Sequence, residues 1–306
     1  MRCLVTGATG FLAGHLIPVL KASGYSVVGM LHDGHNRQRE TMDDWVFGDL
    51  TSLSKLRRIL SEYEIDTVFH LAAITQVSVG NADPLGVFET NVQGSWNLLE
   101  ACRLQKINRI VMASTDKAYG RSEPPYREQT PLTPDHPYET SKACMDMIAR
   151  TFAVTYDMNI AVTRCVNLYG PGHLNFSTLI PGTIRRILHN QRPVIRNGGK
   201  MKRDFLFVKD AVQGYLGLAQ SDYRGPINFG TGAGWPIRQV VEMILEIMGS
   251  KLEPEERDDL QGEIFDQWSE FEIARKVLHW KPEYVLAQGL KETVAWYRDH
   301  QDLFSS

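Results

Sequence analysis

Cysteine is scarce in this sequence and scattered along it. The 306 residues contain four cysteines, and no two of them form a CxxC pair. This argues against a disulfide scaffold and against a zinc site, so no metal is expected. The four thiols are predicted to be buried and free in a reducing compartment. They are Cys3, Cys102, Cys144 and Cys165.

Long apolar runs and a strong net charge are absent as well. No run approaches the roughly 20 apolar residues of a membrane-spanning helix, and the N-terminus lacks the layout of a signal peptide. The formal net charge is -3, which gives no bulk attraction to nucleic acid or acidic membranes. We therefore expect neither a nucleic-acid nor a membrane partner, and a cytoplasmic location.

The first half alternates short β-branched runs with longer helical patterns. Runs at residues 2–6, 26–31, 66–71, 109–113 and 160–164 predict strands. Residues 15–23, 53–63, 84–104 and 138–156 have the apolar spacing of helices. Repeated strand, helix and strand predict an α/β fold with a doubly wound parallel sheet.

The pattern becomes less regular after residue 172. Residues 173–203 and 231–306 are predicted to form a smaller lobe, while residues 204–230 return to the domain formed by 1–172. The runs at 205–208 and 226–230 are expected to add strands to the sheet. A cleft between the domain and the lobe is the expected ligand site.

A glycine-rich turn, TGATGFLAG, follows the first predicted strand at residues 6–14. Gly7 permits a tight turn, Gly10 lets the backbone approach a pyrophosphate, and the next helix contributes N–H groups. Ala13 stands where a third glycine is usual. Such turns also occur as plain structural devices, but a βαβ start favours dinucleotide binding. The predicted contacts are Gly7, Thr9, Gly10, Phe11 and Leu12.

Two aspartates are candidates for the adenosine end of that dinucleotide. Asp33 follows the second strand and would hold the ribose hydroxyls of NAD, or is a turn residue before Gly34. No arginine adjoins it, which favours NAD over NADP. Asp49 and Leu50 would lie beside the adenine, with a helix-capping role as the alternative for Asp49.

Tyr138 and Lys142 are four residues apart and share one helix face. A tyrosine with a pKa of about 10 is a poor base at neutral pH. A nearby ammonium and a positive nicotinamide would favour the phenolate. Thr115 ends the fourth strand, and the carboxyl ends of parallel strands face the ligand crevice. The three side chains are therefore predicted to meet.

Together these segments resemble the extended short-chain dehydrogenase/reductases that act on nucleotide sugars. The matching motifs are TGATGFLAG, GDL (48–50), HLAA (70–73), TNVQGSWNLLEA (90–101), STDKAYG (114–120), YETSK (138–142), RCVNLYGPG (164–172), KRDFLFVKD (202–210) and LHWKP (278–282). The resemblance implies a Rossmann-type NAD(P) domain, a C-terminal sugar-nucleotide lobe and transient oxidation of a sugar at carbon 4.

The resemblance also implies roles for individual residues. Tyr138 is the base, Lys142 binds the nicotinamide ribose and Thr115 contacts the sugar. Further cofactor contacts are Leu71, Ala72, Ala73 and Asn91. Substrate contacts are Gln76, Asn167, Asn175 and Arg203. An ion pair with Asp204 is the alternative for Arg203, and a turn amide is the alternative for Asn167.

Asp116 and Lys117 occupy the positions that separate the subclasses. In nucleotide-sugar 4,6-dehydratases an acid at the first position protonates the leaving 6-hydroxyl, and the next residue, usually Glu, handles the carbon 5 proton. The Asp-Lys pair resembles CDP-glucose 4,6-dehydratases. Lys117 would be a neutral base or a cation that stabilises the enolate, unless the pair is merely structural.

A 4,6-dehydratase that makes a 4-keto-6-deoxyhexose nucleotide is therefore the favoured function. The segments at 170–172 and 202–210 look more like those of epimerases, so a 4-epimerase is the alternative. A non-catalytic NAD(P)-binding sensor is a third class, but it would have no need of Thr115, Tyr138 and Lys142.

The predicted helices at 84–104 and 138–156 carry more apolar residues than one buried face needs. Those singled out are Val87, Leu98, Met145, Met147 and Phe152. The resemblance implies that these helices pair with a second subunit as a four-helix bundle, so a homodimer is expected.

Overall fold

A seven-stranded parallel sheet forms the centre of the fold. The computed structural model describes residues 1–32, 39–258 and 264–304. The strands are β1 (Arg2–Thr6), β2 (Ser26–Leu31), β3 (Asp44–Phe47), β4 (Thr67–His70), β5 (Arg109–Thr115), β6 (Ile160–Cys165), β7 (Asn167–Tyr169), β8 (Val194–Arg196), β9 (Lys202–Arg203), β10 (Phe205–Phe207), β11 (Gly225–Phe229), β12 (Trp235–Pro236), β13 (Glu255–Arg257) and β14 (Asp266–Gln267).

Helices cover both faces of this sheet and also build a third apolar core. They are α1 (Phe11–Ala22), α2 (Leu53–Glu62), α3 (Val77–Ala82), α4 (Pro84–Phe88), α5 (Gly94–Gln105), α6 (Pro137–Thr155), α7 (Leu179–Leu188), α8 (Val208–Ala219), α9 (Ile237–Met248), α10 (Glu272–Leu278) and α11 (Leu286–Asp299). Short 3-10 turns lie at Arg39–Thr41, Asp116–Tyr119, Asn197–Gly199 and Gln301–Leu303.

The two faces of the sheet have separate apolar cores. Leu16 of α1 and Tyr215 of α8 pack on one face. Leu56 of α2, Leu98 of α5 and Met145 of α6 pack on the other. Because both faces are covered, β4 and β6 are buried along their whole length. The doubly wound α/β fold predicted from the alternating pattern is confirmed.

The strand order in this sheet is β11-β6-β5-β4-β1-β2-β3, and it reverses between β1 and β4. The chain passes from β1 outward through β2 and β3, and then returns to place β4 on the other side of β1. In open parallel sheets, ligands bind at the carboxyl ends of the strands beside such a switch point. The glycine turn after β1 and the segment after β4 meet there.

A third core is formed mainly by α7, α9 and α11. Ile184 of α7, Ile244 of α9 and Leu290 of α11 pack around Phe205 and Phe207. Strand β10 pairs with β7 in a separate two-stranded sheet. The prediction that residues 205–208 add a strand to the main sheet is therefore wrong, whereas residues 225–229 do join it as β11.

The predicted helix at 84–104 is interrupted. Helix α4 ends at Phe88, a π-helical turn covers Glu89–Gln93, and α5 begins at Gly94. Asn91 in that turn directs its side-chain amide at the backbone of Ile74. π-helical turns of this kind frequently occur at functional sites.

The apolar residues chosen for the dimer face are mostly core residues. Val87, Leu98 and Met145 are fully buried, and Phe152 packs against the second core. Of the five, Met147 alone is largely exposed, at 62%. This part of the prediction is wrong because spacing along a helix does not tell which of two apolar faces the chain itself covers.

All four cysteines are free thiols. Cys3, Cys102 and Cys165 are buried and Cys144 is half-buried, so the prediction of free, mostly buried thiols is confirmed. Across residues 1–32, 39–258 and 264–304, no helix combines the length and apolar character needed to cross a membrane.

Candidate active site

The glycine turn leaves the amino end of α1 open to an anion. Gly10 precedes the helix in an extended conformation, no side chain caps it, and the first turn carries no acidic residue. The free N–H groups and the helix dipole therefore face outward. Gly7 has φ +68, and a Cβ built on it would lie 2.7 Å from the Ala72 nitrogen. This close approach brings the turn against the segment that follows β4, as a pyrophosphate site requires.

The residues predicted to meet the adenosine end are only partly described. Asp33 lies outside the described residues. Asp49 accepts hydrogen bonds from the Thr51 backbone N–H and hydroxyl, at 2.9 and 2.8 Å. The first of these bonds lowers the pKa of Asp49. Its carboxylate therefore holds the turn before α2, whose N-cap is Ser52, and Leu50 is buried beside it.

Tyr138 and Lys142 lie near the start of α6, next to the end of β5. The Lys142 ammonium donates to the Ala113 carbonyl at 2.7 Å, and burial lowers its pKa to about 8. Burial raises the pKa of Tyr138, and its hydrogen bond with Thr115 acts in the opposite direction. The phenol therefore needs an additional positive charge nearby to become a base. An oxidised nicotinamide is such a charge.

Asp116 and Lys117 continue from Thr115 into the same crevice. Lys117 Nζ lies 2.9 Å from Asn167 Oδ1 and 3.6 Å from Asp116 Oδ1. Asp116 is fully buried, its Oδ1 accepts from the Thr115 hydroxyl at 3.2 Å, and its Oδ2 has no hydrogen-bond partner in the protein. A buried carboxyl oxygen without a partner is rare in a folded protein, and it marks a group that a ligand is expected to satisfy.

Asn167 is held in one orientation by the backbone of Asp204, which lies between β9 and β10. Its Nδ2 donates to the Asp204 carbonyl at 3.0 Å, which turns its Oδ1 toward Lys117. Burial raises the pKa of Asp204 to about 7, and its carboxyl accepts from the Thr231 backbone and hydroxyl. The Arg203 guanidinium donates to the carbonyls of Lys202, Ile264 and Phe265.

Two predicted substrate contacts lie on other elements, and no hydrogen bond among the described residues joins them to this cluster. Gln76 is exposed and directly precedes α3. Asn175 accepts from the Ser177 backbone and hydroxyl in the turn before α7. The structure thus gathers Thr115, Asp116, Lys117, Tyr138, Lys142 and Asn167 at the ends of β5 and β6. The substrate roles of Gln76, Asn175 and Arg203 stay predictions.

Sequence reasoning missed several buried polar residues around the crevice. His70, Ser95 and Ser141 form hydrogen bonds behind the cofactor loop and α6. Glu139, next to Tyr138, is 7% exposed and has one carboxyl oxygen without a hydrogen-bond partner. These residues lie within the motifs HLAA, TNVQGSWNLLEA and YETSK, and this was the signal in the sequence that could have identified them. Their burial could not be read from the sequence, because it depends on the fold.

A metal cluster is not part of the described site. Within residues 1–32, 39–258 and 264–304, no three His, Cys, Asp or Glu side chains come together as they would around a metal ion. The chemistry of the crevice thus centres on a tyrosine, two lysines and a carboxyl group. This donor set is suited to proton transfer beside a bound dinucleotide.

Relatives of both activities match the chain over nearly its full length. A UDP-glucuronate 4-epimerase of Thermodesulfobacterium geofontis is 28% identical, over 99% of this chain and 98% of its own. The UDP-glucose 4-epimerase of Thermotoga maritima, solved with UDP-glucose, has a TM-score of 0.93 and 27% identity, covering 98% of this chain and 100% of that one.

A dehydratase structure is similarly close. The dTDP-glucose 4,6-dehydratase of Bacillus anthracis, solved in complex with NAD, has a TM-score of 0.89 and 27% identity, covering 100% of this chain and 99% of that one. Residues 3–230 match the model of the NAD dependent epimerase/dehydratase family. The resemblance found in the motifs is confirmed: this chain belongs to that family, and so to the extended short-chain dehydrogenase/reductases.

Proposed function

We propose that this enzyme is an NAD-dependent nucleotide-sugar 4,6-dehydratase, which converts a nucleoside diphosphate hexose into the 4-keto-6-deoxyhexose. Residues 1–172 and 204–230 would hold the cofactor, and residues 173–203 and 231–306 would hold the sugar nucleotide. The observation that carries the proposal is the buried Asp116 carboxyl with one unpartnered oxygen, next to a fixed Lys117.

The glycine turn fits the pyrophosphate of NAD. Gly7, Gly10 and the amino end of α1 supply the backbone donors, and Ala72 forms the opposite wall. Lys142 would hold the nicotinamide ribose. NAD held there would supply the acceptor for the hydride of carbon 4 and the source of that same hydride for carbon 6. NAD in the related Bacillus anthracis structure supports this choice.

Tyr138 would remove the proton of the sugar 4-hydroxyl. Thr115, which acts to lower the pKa of the phenol, would hold that hydroxyl in place. The Lys142 ammonium lies four residues along the same helix and favours the phenolate. An epimerase needs these three residues in the same roles, so they do not separate the two activities.

Elimination of water requires the next two residues. Asp116 would protonate the departing 6-hydroxyl. Its Oδ2 has no hydrogen-bond partner in the protein and lies just past the end of β5, where it could meet the substrate. Lys117 would accept the carbon 5 proton as a neutral amine or stabilise the enolate as a cation. In either role its Nζ is held by Asn167 Oδ1 and Asp116 Oδ1. Either role needs Lys117 at this position.

A 4-epimerase is the second candidate. The 3.6 Å approach of Lys117 to Asp116 would also suit a strand-end ion pair with no chemical part. The Thermodesulfobacterium geofontis and Thermotoga maritima relatives are epimerases, which supports this alternative. In that reaction the hydride returns to carbon 4 on the opposite face, and neither Asp116 nor Lys117 is needed.

An isotope experiment tests the proposal. A panel of nucleotide hexoses is first screened by mass spectrometry for loss of one water. The active substrate is then prepared with deuterium at carbon 4, and the product is expected to carry deuterium in its carbon 6 methyl group without added NADH. Deuterium found back at carbon 4, with no water lost, would establish epimerisation instead.

Variants of the two distinguishing residues sharpen this experiment. Asp116→Asn is expected to slow loss of the 6-hydroxyl about 100-fold or more while oxidation at carbon 4 proceeds, so reduced cofactor accumulates on the enzyme. Lys117→Met should block elimination in the same way. Asp157→Asn, at a carboxylate that is 90% exposed, is the matched control. An epimerase would tolerate the Asp116 change.

We also propose that the enzyme is a homodimer. The exposed apolar side chains of α4 and α6 are Leu85, Met147 and Val154, at 72%, 62% and 77% exposure. Helix α5 adds Trp96 and Leu104, which are 44% and 41% exposed. A second copy covering these helices as a four-helix bundle would remove this apolar surface from water. The free cysteines agree with a reducing compartment, and we propose the cytoplasm.

A further inference from the structure

A buried chain of hydrogen bonds runs behind the cofactor turn through His70. Thr6 Oγ1 lies 2.8 Å from His70 Nδ1, and the Ala72 backbone N–H donates to the same Thr6 oxygen at 3.2 Å. On the other side of the ring, His70 Nε2 lies 3.0 Å from Ser95 Oγ, which donates to the Asn91 carbonyl at 2.6 Å. His70 is 1% exposed, so no water competes for these bonds.

The direction of every proton in this chain follows from its ends and from the charge of the ring. Burial and the nearby Lys142 cation lower the pKa of His70 to about 3, so the ring is neutral near pH 7. The Asn91 carbonyl only accepts, so the single Ser95 hydroxyl proton points at it and Ser95 Oγ must accept from His70 Nε2–H. In the neutral ring His70 Nδ1 then has no proton and accepts from the Thr6 hydroxyl, which in turn accepts from Ala72 N–H.

The chain of hydrogen bonds continues from Asn91 to α6, the helix that carries Tyr138. The Asn91 side chain accepts from Ile74 N–H at 2.8 Å and donates to Ser141 Oγ at 2.9 Å. Ser141 donates to the carbonyl of Tyr138 at 2.7 Å. One set of directed hydrogen bonds therefore joins the wall of the cofactor site at Ala72 to the backbone of the proposed base.

We propose that His70 is a positioning residue whose two ring nitrogens join two halves of the site. The Nδ1 half, through Thr6, sets Ala72 against the glycine turn and so governs NAD affinity. The Nε2 half, through Ser95 and Asn91, sets α6 and so governs the reaction at Tyr138. The inference rests on the proposed use of NAD and Tyr138, and it holds for a dehydratase and an epimerase alike.

Two substitutions separate the halves. Counted in bonds from Cβ, the Asn oxygen replaces Nδ1 and the Gln amide nitrogen replaces Nε2. His70→Asn keeps an acceptor for Thr6 and loses the donor to Ser95, whereas His70→Gln does the reverse. Phe69→Leu is the control, since it removes core volume at the neighbouring position of β4 and its side chain makes none of these hydrogen bonds.

Each variant is measured for unfolding by urea, for NAD dissociation by titration, and for cofactor reduction in a single turnover at saturating NAD. His70→Gln is expected to raise the NAD dissociation constant about tenfold while the reduction rate stays near that of the wild type. His70→Asn is expected to slow reduction about tenfold while leaving NAD binding near the wild type. Phe69→Leu should lower stability and change neither quantity as strongly.

A purely structural histidine would give a different result. If His70→Asn and His70→Gln change affinity and rate together, in step with their loss of stability, the proposal is overturned. Should both variants fail to fold, nitrogen NMR of the wild-type histidines decides, since a neutral Nε2–H ring is required near pH 7 and an Nδ1–H ring overturns the proposal. A wild-type enzyme that does not bind NAD refutes the proposed function. If NAD binds but the two variants do not affect affinity and reduction rate separately, this inference alone is refuted.

Discussion

Replacing Gly7 by alanine tests the close approach on which the cofactor site depends. Gly7 has φ +68, and the added Cβ would lie 2.7 Å from Ala72 N, 2.8 Å from Ala72 Cα and 3.0 Å from Leu71 C. These are backbone atoms, fixed on the far side by the Thr6 and His70 hydrogen bonds. The alanine methyl cannot be accommodated by the rotation of a flexible side chain.

The cost has two separate parts. An alanine in a left-handed conformation costs roughly 1–2 kcal/mol. Forcing a methyl group into a packed site adds about 1–3 kcal/mol. Gly7→Ala is therefore expected to lower the free energy of unfolding by about 2–5 kcal/mol. Because Ala72 must shift to relieve the overlap, we also expect NAD affinity to fall about tenfold or more.

Gly249→Ala provides a matched control. Gly249 ends α9 with φ +65, and a Cβ built on it would meet nothing within 4 Å. This variant carries the conformational cost without the overlap. Urea denaturation with and without NAD, together with an NAD titration, measures both effects. Equal destabilisation by the two variants, with unchanged NAD affinity, would refute the reasoning.

Three further predictions concern the base, the assembly and a buried carboxyl. Tyr138→Phe and Lys142→Ala should each lower turnover by about 100-fold or more with the circular dichroism spectrum unchanged; near-normal activity of Tyr138→Phe would eliminate it as the base. Met147→Glu should give a 34.6 kDa monomer in sedimentation, whereas Val285→Glu, at a position 68% exposed outside the proposed face, should stay dimeric. A wild type that sediments only as a monomer rules out the dimer. Burial raises the pKa of Asp204 from 3.8 to about 7, so its contribution to stability is fully present below pH 3.8 and is lost as the pH rises toward 7. Between pH 3.8 and about 7, the free energy of unfolding of Asp204→Asn, measured by urea denaturation, should therefore fall less than that of the wild type. An equal pH dependence in the two proteins would contradict the raised pKa of Asp204.

Local patterns determined much of the fold and part of the site. Strands β1 and β2 have the residue bounds that their apolar runs indicated, because burial on both faces of a sheet leaves a direct apolar signature in the sequence. The glycine turn and the pair formed by Tyr138 and Lys142 are likewise short-range features. Their spacing is set by one turn or one helix.

Contacts between distant parts of the chain decided the rest. The π-helical turn after α4 contains Asn91, whose side chain bonds to Ile74 17 residues away, and β10 pairs with β7 rather than with the main sheet. Helical spacing marked Met145 and Met147 alike, and only packing against the second core buried one of them.

The crevice shows the same division at the level of single atoms. The order Thr115, Asp116, Lys117 could be read from the sequence, but Lys117 meets Asn167 from 50 residues away, and the Asn167 amide is oriented by the Asp204 carbonyl. The neutral state of His70 depends on partners 64 and 25 residues away. Sequence identifies which groups are present, whereas burial and hydrogen-bond direction, which set their charge and their partners, arise only when the strands come together.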